Sequence, residues 1–405
     1  MNYDDDLADF IRAGARSAQT FAELVAQAAG AYPLKVLRVA QKLGINLPMG
    51  PSEHLRTQLG PAIHPLDYDW RFGATTVARM RSLLQQEAAS VALICCPSIA
   101  TEVVGTRTAL VDRNAAWKQW IDPQVEFAAT DVGEHPQSWR GAFDAVLLDP
   151  PWYPAEFHRG IRTAAMIVRR GGIVFVSWPG AGTRPGLSSE RATFLAHAKA
   201  LGLALSSTEI GGLAYATPFF EGAALRASGL PVLAEWRRAD LMRFVRDNAN
   251  GDSNSPEPTD GIAAQSSAWD GGELGHFPVR LHRERSESVD PRLVSLVDGD
   301  VLRSVSRRDP ARVAARVWTA GNRIFGCDRP DLVAAILRGR ASDPILEVQC
   351  TIGRALSSDE SRFVEEAMVQ IRRLEAIEAS EYDLLHGISD RTDESREFSA
   401  GVRKE

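Results

Sequence analysis

Cysteine is scarce. Cys95, Cys96, Cys327 and Cys350 form no C-x-x-C, and two of them are adjacent inside an apolar run, so neither a disulfide scaffold nor a zinc knuckle fits. No apolar run approaches the roughly 20 residues that span a bilayer. The N-terminus, MNYDDDLADF, is acidic where a signal peptide is basic and then apolar. Together these features predict a soluble, cytoplasmic protein with no membrane partner. Lysine is nearly missing: beyond Lys35, Lys42, Lys118, Lys199 and Lys404, the Lys and Arg positions are all arginine. That reads first as a compositional bias and second as selection for phosphate contacts. A dominant charge is lacking too, since 46 Lys+Arg against 52 Asp+Glu leaves −6. No strong global field therefore draws the chain to nucleic acid, although a local basic face stays open. The eight histidines fall in no metal-ligand spacing, and neither a G-x-S-x-G nor a Walker sequence occurs, so no metal is expected.

What is present is ordinary globular material: 405 residues, 44% hydrophobic and 24% charged, enough for two or three domains. Residues 1–62 read as a helical segment. Within it Thr20 to Ile45 gives helix, turn and helix, with Gly30 in the turn, Pro33 opening the second helix and Gly44 closing it. Ala22, Leu24, Val25 and Ala28 share one face; Leu34, Val36, Leu37, Val39 and Leu43 share the next. This is either a DNA-binding helix-turn-helix or a plain helical hairpin packed on its neighbour.

Residues 63–246 alternate short apolar strands with helical stretches, the rhythm of an α/β domain with a parallel sheet covered on both faces. Strands are predicted at 91–95, 108–111, 125–128, 145–148, 173–177 and 203–208, with helices near 75–87, 154–169 and 190–200. Residues 247–278, rich in Asn, Asp, Ser, Gly and Pro, read as a linker. Residues 279–405 form a smaller mixed α/β region with a strand at 315–319, a helix near 331–338 and a long helix from about Asp359 to Leu385. The last 17 or so residues are polar and read as frayed.

The most informative stretch is FDAVLLDPPWY, Phe143–Tyr153. An apolar strand ends at Asp149, and in an open α/β sheet the carboxyl ends of strands face the ligand crevice. Pro150 and Pro151 remove two backbone N–H groups and stiffen the turn, leaving their carbonyls to accept. A carboxylate oxygen with a proline carbonyl can take both hydrogens of an amine such as adenine N6, exposing the nitrogen lone pair. Trp152 or Tyr153 offers a flat face to a planar acceptor, worth roughly 1–3 kcal/mol in nucleobase systems.

Asp149-Pro150-Pro151-Trp152 resembles motif IV of class I S-adenosylmethionine-dependent amino-methyltransferases. LICCPSIA at Leu93–Ala100 and DYDWRFGATT at Asp67–Thr76 resemble the N6-adenine methyltransferase family that includes eukaryotic lysine methyltransferases of elongation factor 1A. The resemblance covers residues 64–246. It implies a Rossmann-like methyltransferase sheet, S-adenosyl-L-methionine as cofactor, and catalytic roles for Asp149, Pro150, Pro151 and Trp152. It places the cofactor turn at Cys96, Pro97 and Ser98, where other methyltransferases carry glycines. Trp70, Arg71 and Phe72 either close over the active site, beside the substrate with Tyr153, or pack as core ahead of a helix. For Cys95 the residues favour small, buried packing.

Two further carboxylates follow from position. Asp112 ends the second strand, where an acid accepts ribose hydroxyls, or else it pairs with Arg107 or Arg113. Asp131 follows the third strand and either accepts the cofactor's adenine amine or caps a helix. The arginines of Ser304–Trp318 read as a phosphate contact or as a solvated basic face. The expectation is an S-adenosylmethionine-dependent N-methyltransferase acting on nucleic acid, adenine N6 before protein lysine. The alternatives are a catalytically silent scaffold and a DNA-binding regulator. The terminal regions are candidates for binding a protein partner or a second copy of the chain.

Overall fold

The computed structural model describes residues 3–67, 69–247, 268–284, 293–306, 309–339 and 344–388. Three helices come first: α1 Tyr3–Gly14, α2 Phe21–Gln27 and α3 Pro33–Lys42. Thr20 caps α2 by accepting from the Glu23 N–H at 3.2 Å, and the left-handed Gly30 turns the chain toward Pro33. The apolar faces of these helices pack on one another and on Leu225, Leu230, Leu233 and Trp236. The helix pair is thus anchored to the domain beside it. Lys35 of α3 is held by Asp4 at 2.7 Å. A groove of about 630 Å³ separates Lys35 and Arg38 from residues 296–303, so α3 faces the C-terminal region.

Helix α4 (Ala74–Glu87) leads into a seven-stranded sheet. Its strands are β1 Ser90–Ile94, β2 Arg107–Val111, β3 Glu126–Ala128, β4 Phe143–Leu148, β5 Val168–Pro179, β6 Leu203–Tyr215 and β7 Arg237–Arg246. Helices α5 (Pro154–Ile167), α6 (Leu187–Ala200) and α7 (Phe219–Ala227) intervene. The strand order is β3-β2-β1-β4-β5-β7-β6, with β1 to β5 parallel and β7 antiparallel to both neighbours. The near-continuous apolar strands are buried on both faces because a core lies on each side. One is built on Val146, Phe157, Trp178 and Phe194, the other on Met80, Leu93, Leu147 and Phe175. Strand β6 runs seven residues past its predicted end at Thr208. Ile210, Gly211 and Gly212 form an irregularity against β7 and pairing resumes at Leu213, so a glycine pair that reads as a stop is a bulge.

The C-terminal region holds a second sheet, order β10-β12-β11-β9-β8, of β8 Trp269–Leu274, β9 Phe277–His282, β10 Val294–Ser295, β11 Val317–Thr319 and β12 Ile324–Gly326. The strand β8 corrects the linker prediction over 247–278: WDGGEL pairs with FPVRLH through a turn at the left-handed Gly275. Residues 248–267 of that linker, and the polar tail beyond 388, lie outside the described residues. Helices α8 (Pro330–Arg338), α9 (Pro344–Ile352) and α10 (Ser358–His386) cover the sheet. Ser357 and Glu360 form a reciprocal capping box at the start of α10. Among the described residues no helix is long and apolar enough to cross a membrane.

One buried ionic knot joins the two units. Arg323 reaches Glu378 and Glu381 of α10, and Glu381 also accepts from Arg226 of α7 at 3.1 Å. Thr319 and the Gly321 N–H donate to Glu378, each at 2.7 Å. Replacing Arg323 with methionine strands a carboxylate that is 0% exposed. A loss of roughly 3–5 kcal/mol is expected, read as a lower urea midpoint.

Candidate functional site

The carboxyl edge of the large sheet opens into a cavity of about 1350 Å³. Each strand end delivers something to it. Cys95 follows β1, Asp112 follows β2, Asp131 stands beyond β3, and Asp149 to Trp152 follow β4. Thr183 and Arg184 come after β5, Tyr215 ends β6, and Trp236 and Arg237 open the antiparallel β7. Ordinary ligand sites occupy roughly 300–1,000 Å³, so this one has room for more than one small ligand.

Asp149 is 8% exposed, its N–H held by the Ile94 carbonyl at 3.0 Å. The Tyr215 hydroxyl donates to its Oδ1 at 2.6 Å, and the Ser177 hydroxyl in turn meets Tyr215. Burial pushes the Asp149 carboxyl up to about 7; Tyr215, Ser177 and the Trp152 side chain offset part of that. The Tyr153 N–H donates to the Pro151 carbonyl at 2.6 Å, whereas the Pro150 carbonyl has no such partner among the described residues. An acid and an unclaimed carbonyl therefore adjoin at the cavity wall.

Trp152 stands edge-on to Tyr215, with centroids 5.3 Å apart. Two arginines fix it. Arg184 donates to its carbonyl at 3.0 Å and is itself held by Glu190 at 2.6 Å. Arg237 lies 5.2 Å from its ring centroid, 3.6 Å from that of Trp70 and 4.9 Å from that of Trp236. Glu221, 0% exposed, pairs with Arg237 at 3.2 Å, and burial raises its carboxyl to about 7.

On the other side Asp112 accepts from the Asn114 N–H at 2.8 Å, and burial raises its carboxyl to about 7. It makes no pair with Arg107, which binds Glu126 instead. Asp131 accepts from the Val132 N–H at 2.6 Å and stands 3.5 Å from Arg159; no helix begins at that point.

The cavity gathers Pro97, Asp112, Asp131, Asp149, Pro150, Pro151, Trp152, Tyr153 and Trp70, all singled out from sequence. It does not include Cys96, Ser98 or Phe72. Cys95 takes φ 57°, a left-handed turn unusual for a side chain, and this reverses which cysteine faces inward. Cys95 lines the cavity, while Cys96 is buried with its sulfur near the Ile94 and Leu147 carbonyls. The non-glycine turn thus reaches a conformation that glycine usually supplies. The Ser98 carbonyl is engaged by Arg81 and Thr101. Phe72 packs 4.8 Å from Tyr215, behind the site. Tyr215, Ser177, Arg184, Glu221 and Arg237 were missed. Ser177 alone carried a signal, as a polar residue inside the apolar run VFVSWP.

No protein-family profile matches the chain, and no curated protein matches it. Solved structures do resemble it in fold. The C9 mutein of the branched-chain polyamine synthase of Thermus thermophilus, in complex with N4-aminopropylspermidine and 5′-methylthioadenosine, aligns at 13% identity over 64% of this chain and 92% of its own, TM-score 0.46. The N-methyltransferase NodS of Bradyrhizobium japonicum with S-adenosyl-L-homocysteine aligns at 13% identity over 43% and 85%, TM-score 0.28. A TehB-like S-adenosylmethionine-dependent methyltransferase of Corynebacterium glutamicum gives 12%, 43% and 88%, TM-score 0.29.

The raised Asp149 fixes a stability prediction. Its folded value of about 7 exceeds the ordinary 3.8, so between them the folded chain holds a proton that the unfolded chain has lost. Stability falls as pH rises through this window. Asp149→Asn, neutral and still able to accept from Tyr215, is expected to raise Tm by a few degrees at about pH 8 and scarcely at about pH 4, measured by calorimetry. By strand order and its antiparallel seventh strand, residues 74–246 form a Rossmann-like α/β sheet with helices on both faces.

Proposed function

We propose that the chain transfers a methyl group from S-adenosyl-L-methionine to an amine nitrogen. The observation that supports this most is the pairing of a buried Asp149 with the unclaimed Pro150 carbonyl, at the mouth of a cavity large enough for donor and acceptor together. The residues present fit the donor. Asp112, half-buried just past the end of β2, suits two ribose hydroxyls, Asp131 suits the adenine amine, and Cys95 and Pro97 of the turn line the same space. The donor, when bound, supplies an electrophilic methyl carbon on a sulfonium. The chain's own work is positional: Asp149 and Pro150 accept the amine hydrogens and aim the lone pair, while Trp152 and Trp70 wall the acceptor. Little acid–base chemistry is needed, so most of the acceleration comes from alignment.

Adenine N6 in nucleic acid is the acceptor we favour, on the flat face of Trp152 and the aromatic lining of Trp70, Tyr153 and Trp236. An aliphatic amine is the second reading. The Asp149 value of about 7 supports it, because an alkylammonium must lose a proton before it attacks.

Radiolabelled cofactor incubated with the full chain against DNA, RNA, lysate protein and spermidine tests both. Label should enter one acceptor, with Asp149→Ala lowering transfer about 100-fold. Unchanged transfer by that variant, or no label in any acceptor, contradicts the proposal. Transfer is expected to rise with pH and level off above about 7, as the raised Asp149 carboxyl ionises and becomes an acceptor. A pH–rate profile reads this.

A further inference from the structure

The C-terminal region closes one side of the cavity with side chains unlike those of the sheet edge. It contributes Trp269, Arg280, His282, Ser304, Ser306 and Arg312, and no carboxylate from this region reaches the cavity among the described residues. The sheet edge supplies Asp112, Asp131, Asp149 and Glu156. There the carboxylates are mixed with Arg113, Arg159, Arg184 and Arg237, whereas the C-terminal wall carries donors and no carboxylate among the described residues.

The donors have defined postures. The Arg312 guanidinium lies 4.5 Å from the Trp318 ring centroid, with one amino group toward the Val305 carbonyl at 3.5 Å. The stack fixes its plane. The Glu284 N–H donates to His282 Nδ1 at 3.2 Å, which leaves the neutral ring's proton on Nε2. Arg280 is shared with Asp67 at 2.8 Å across the seam between the two units. Burial, and the charge of Arg316, hold His282 below its usual range. Arg280 and Arg312 add to the burial that depresses His64, so their positive field extends through this wall. Of the two readings of Ser304–Trp318, the placement of Arg312 in the cavity lining, stacked on Trp318, favours phosphate contact over a solvated face.

We propose that this wall is an oxyanion subsite, in which Arg312, His282 and the Ser304 and Ser306 hydroxyls hold a phosphate carried by the acceptor. The acceptor is then a nucleotide whose amine lies toward Asp149. This rests on the transfer reading only for where the amine lies. The phosphate comes either from a free mononucleotide or from a strand.

Calorimetric titration of the full chain, with and without S-adenosyl-L-homocysteine, compares AMP, adenosine and a short single-stranded oligodeoxyadenylate. AMP is expected to bind at least about 10-fold more tightly than adenosine, as charge-assisted contacts imply. Arg312→Gln and, separately, His282→Gln should each shrink that ratio without changing the affinity for S-adenosyl-L-homocysteine. The pair of variants guards against one of them misfolding, which a melting curve reports. Tighter binding of the oligonucleotide than of AMP assigns the phosphate to a strand; equal or weaker binding assigns it to a free nucleotide. Equal binding of AMP and adenosine, binding of neither, or a ratio that survives both substitutions overturns the subsite. Failure to bind S-adenosyl-L-homocysteine instead sinks the transfer reading and leaves the AMP comparison intact.

Discussion

A carboxylate kept out of water at the end of a parallel strand is the constraint on which the site depends. Asp149 is costly where it stands, and the Tyr215 and Ser177 hydroxyls offset only part of that cost. Its place follows from the fold. Strand β4 sits centrally between β1 and β5, so its last residue emerges in the middle of the sheet edge, walled by side chains from both flanks. The two prolines remove two backbone donors from the turn, and the Pro150 carbonyl is left without a backbone partner among the described residues.

Around this point the arginines act mainly as braces. Arg159 holds Glu156, Arg184 holds Glu190 and the Trp152 carbonyl, Arg237 holds Glu221 among three indoles, and Arg71 holds Asp69 beside Trp117. Planar, permanently charged and multiply donating, arginine suits such tasks better than lysine does. The near-exclusion of lysine from the sequence is compatible with that use as well as with compositional bias. The seam between the two units is fastened in the same manner, by Arg280 on Asp67 and by Arg226 of α7 on Glu381, which Arg323 also holds. His64 adds a bond to the Trp318 carbonyl at 2.9 Å. The cavity is consequently a joint product of both units.

Much of the sheet was legible because its strands are apolar on both faces and separated by helical stretches. DPPW was legible because an acid and two prolines cannot continue a buried strand. The rest depended on pairings invisible along the chain. Tyr215 meets Asp149 across 66 residues, and Arg280 meets Asp67 across 213. The exchange of roles between Cys95 and Cys96 turned on one backbone angle, which two adjacent cysteines do not reveal. The hairpin β8–β9 was hidden by its own glycines, whose polar, flexible composition reads as linker until cross-strand partners are known. At the N-terminus the helix pair was visible, but its attachment to Leu225, Leu230 and Trp236 was not.

A crystal structure of the full chain with S-adenosyl-L-homocysteine tests the central claim most directly. The account predicts the nucleoside in the sheet-edge cavity, its ribose hydroxyls on Asp112 and its sulfur directed toward the Asp149–Pro150 corner. A nucleoside bound elsewhere, or one whose sulfur points away from that corner, would contradict it.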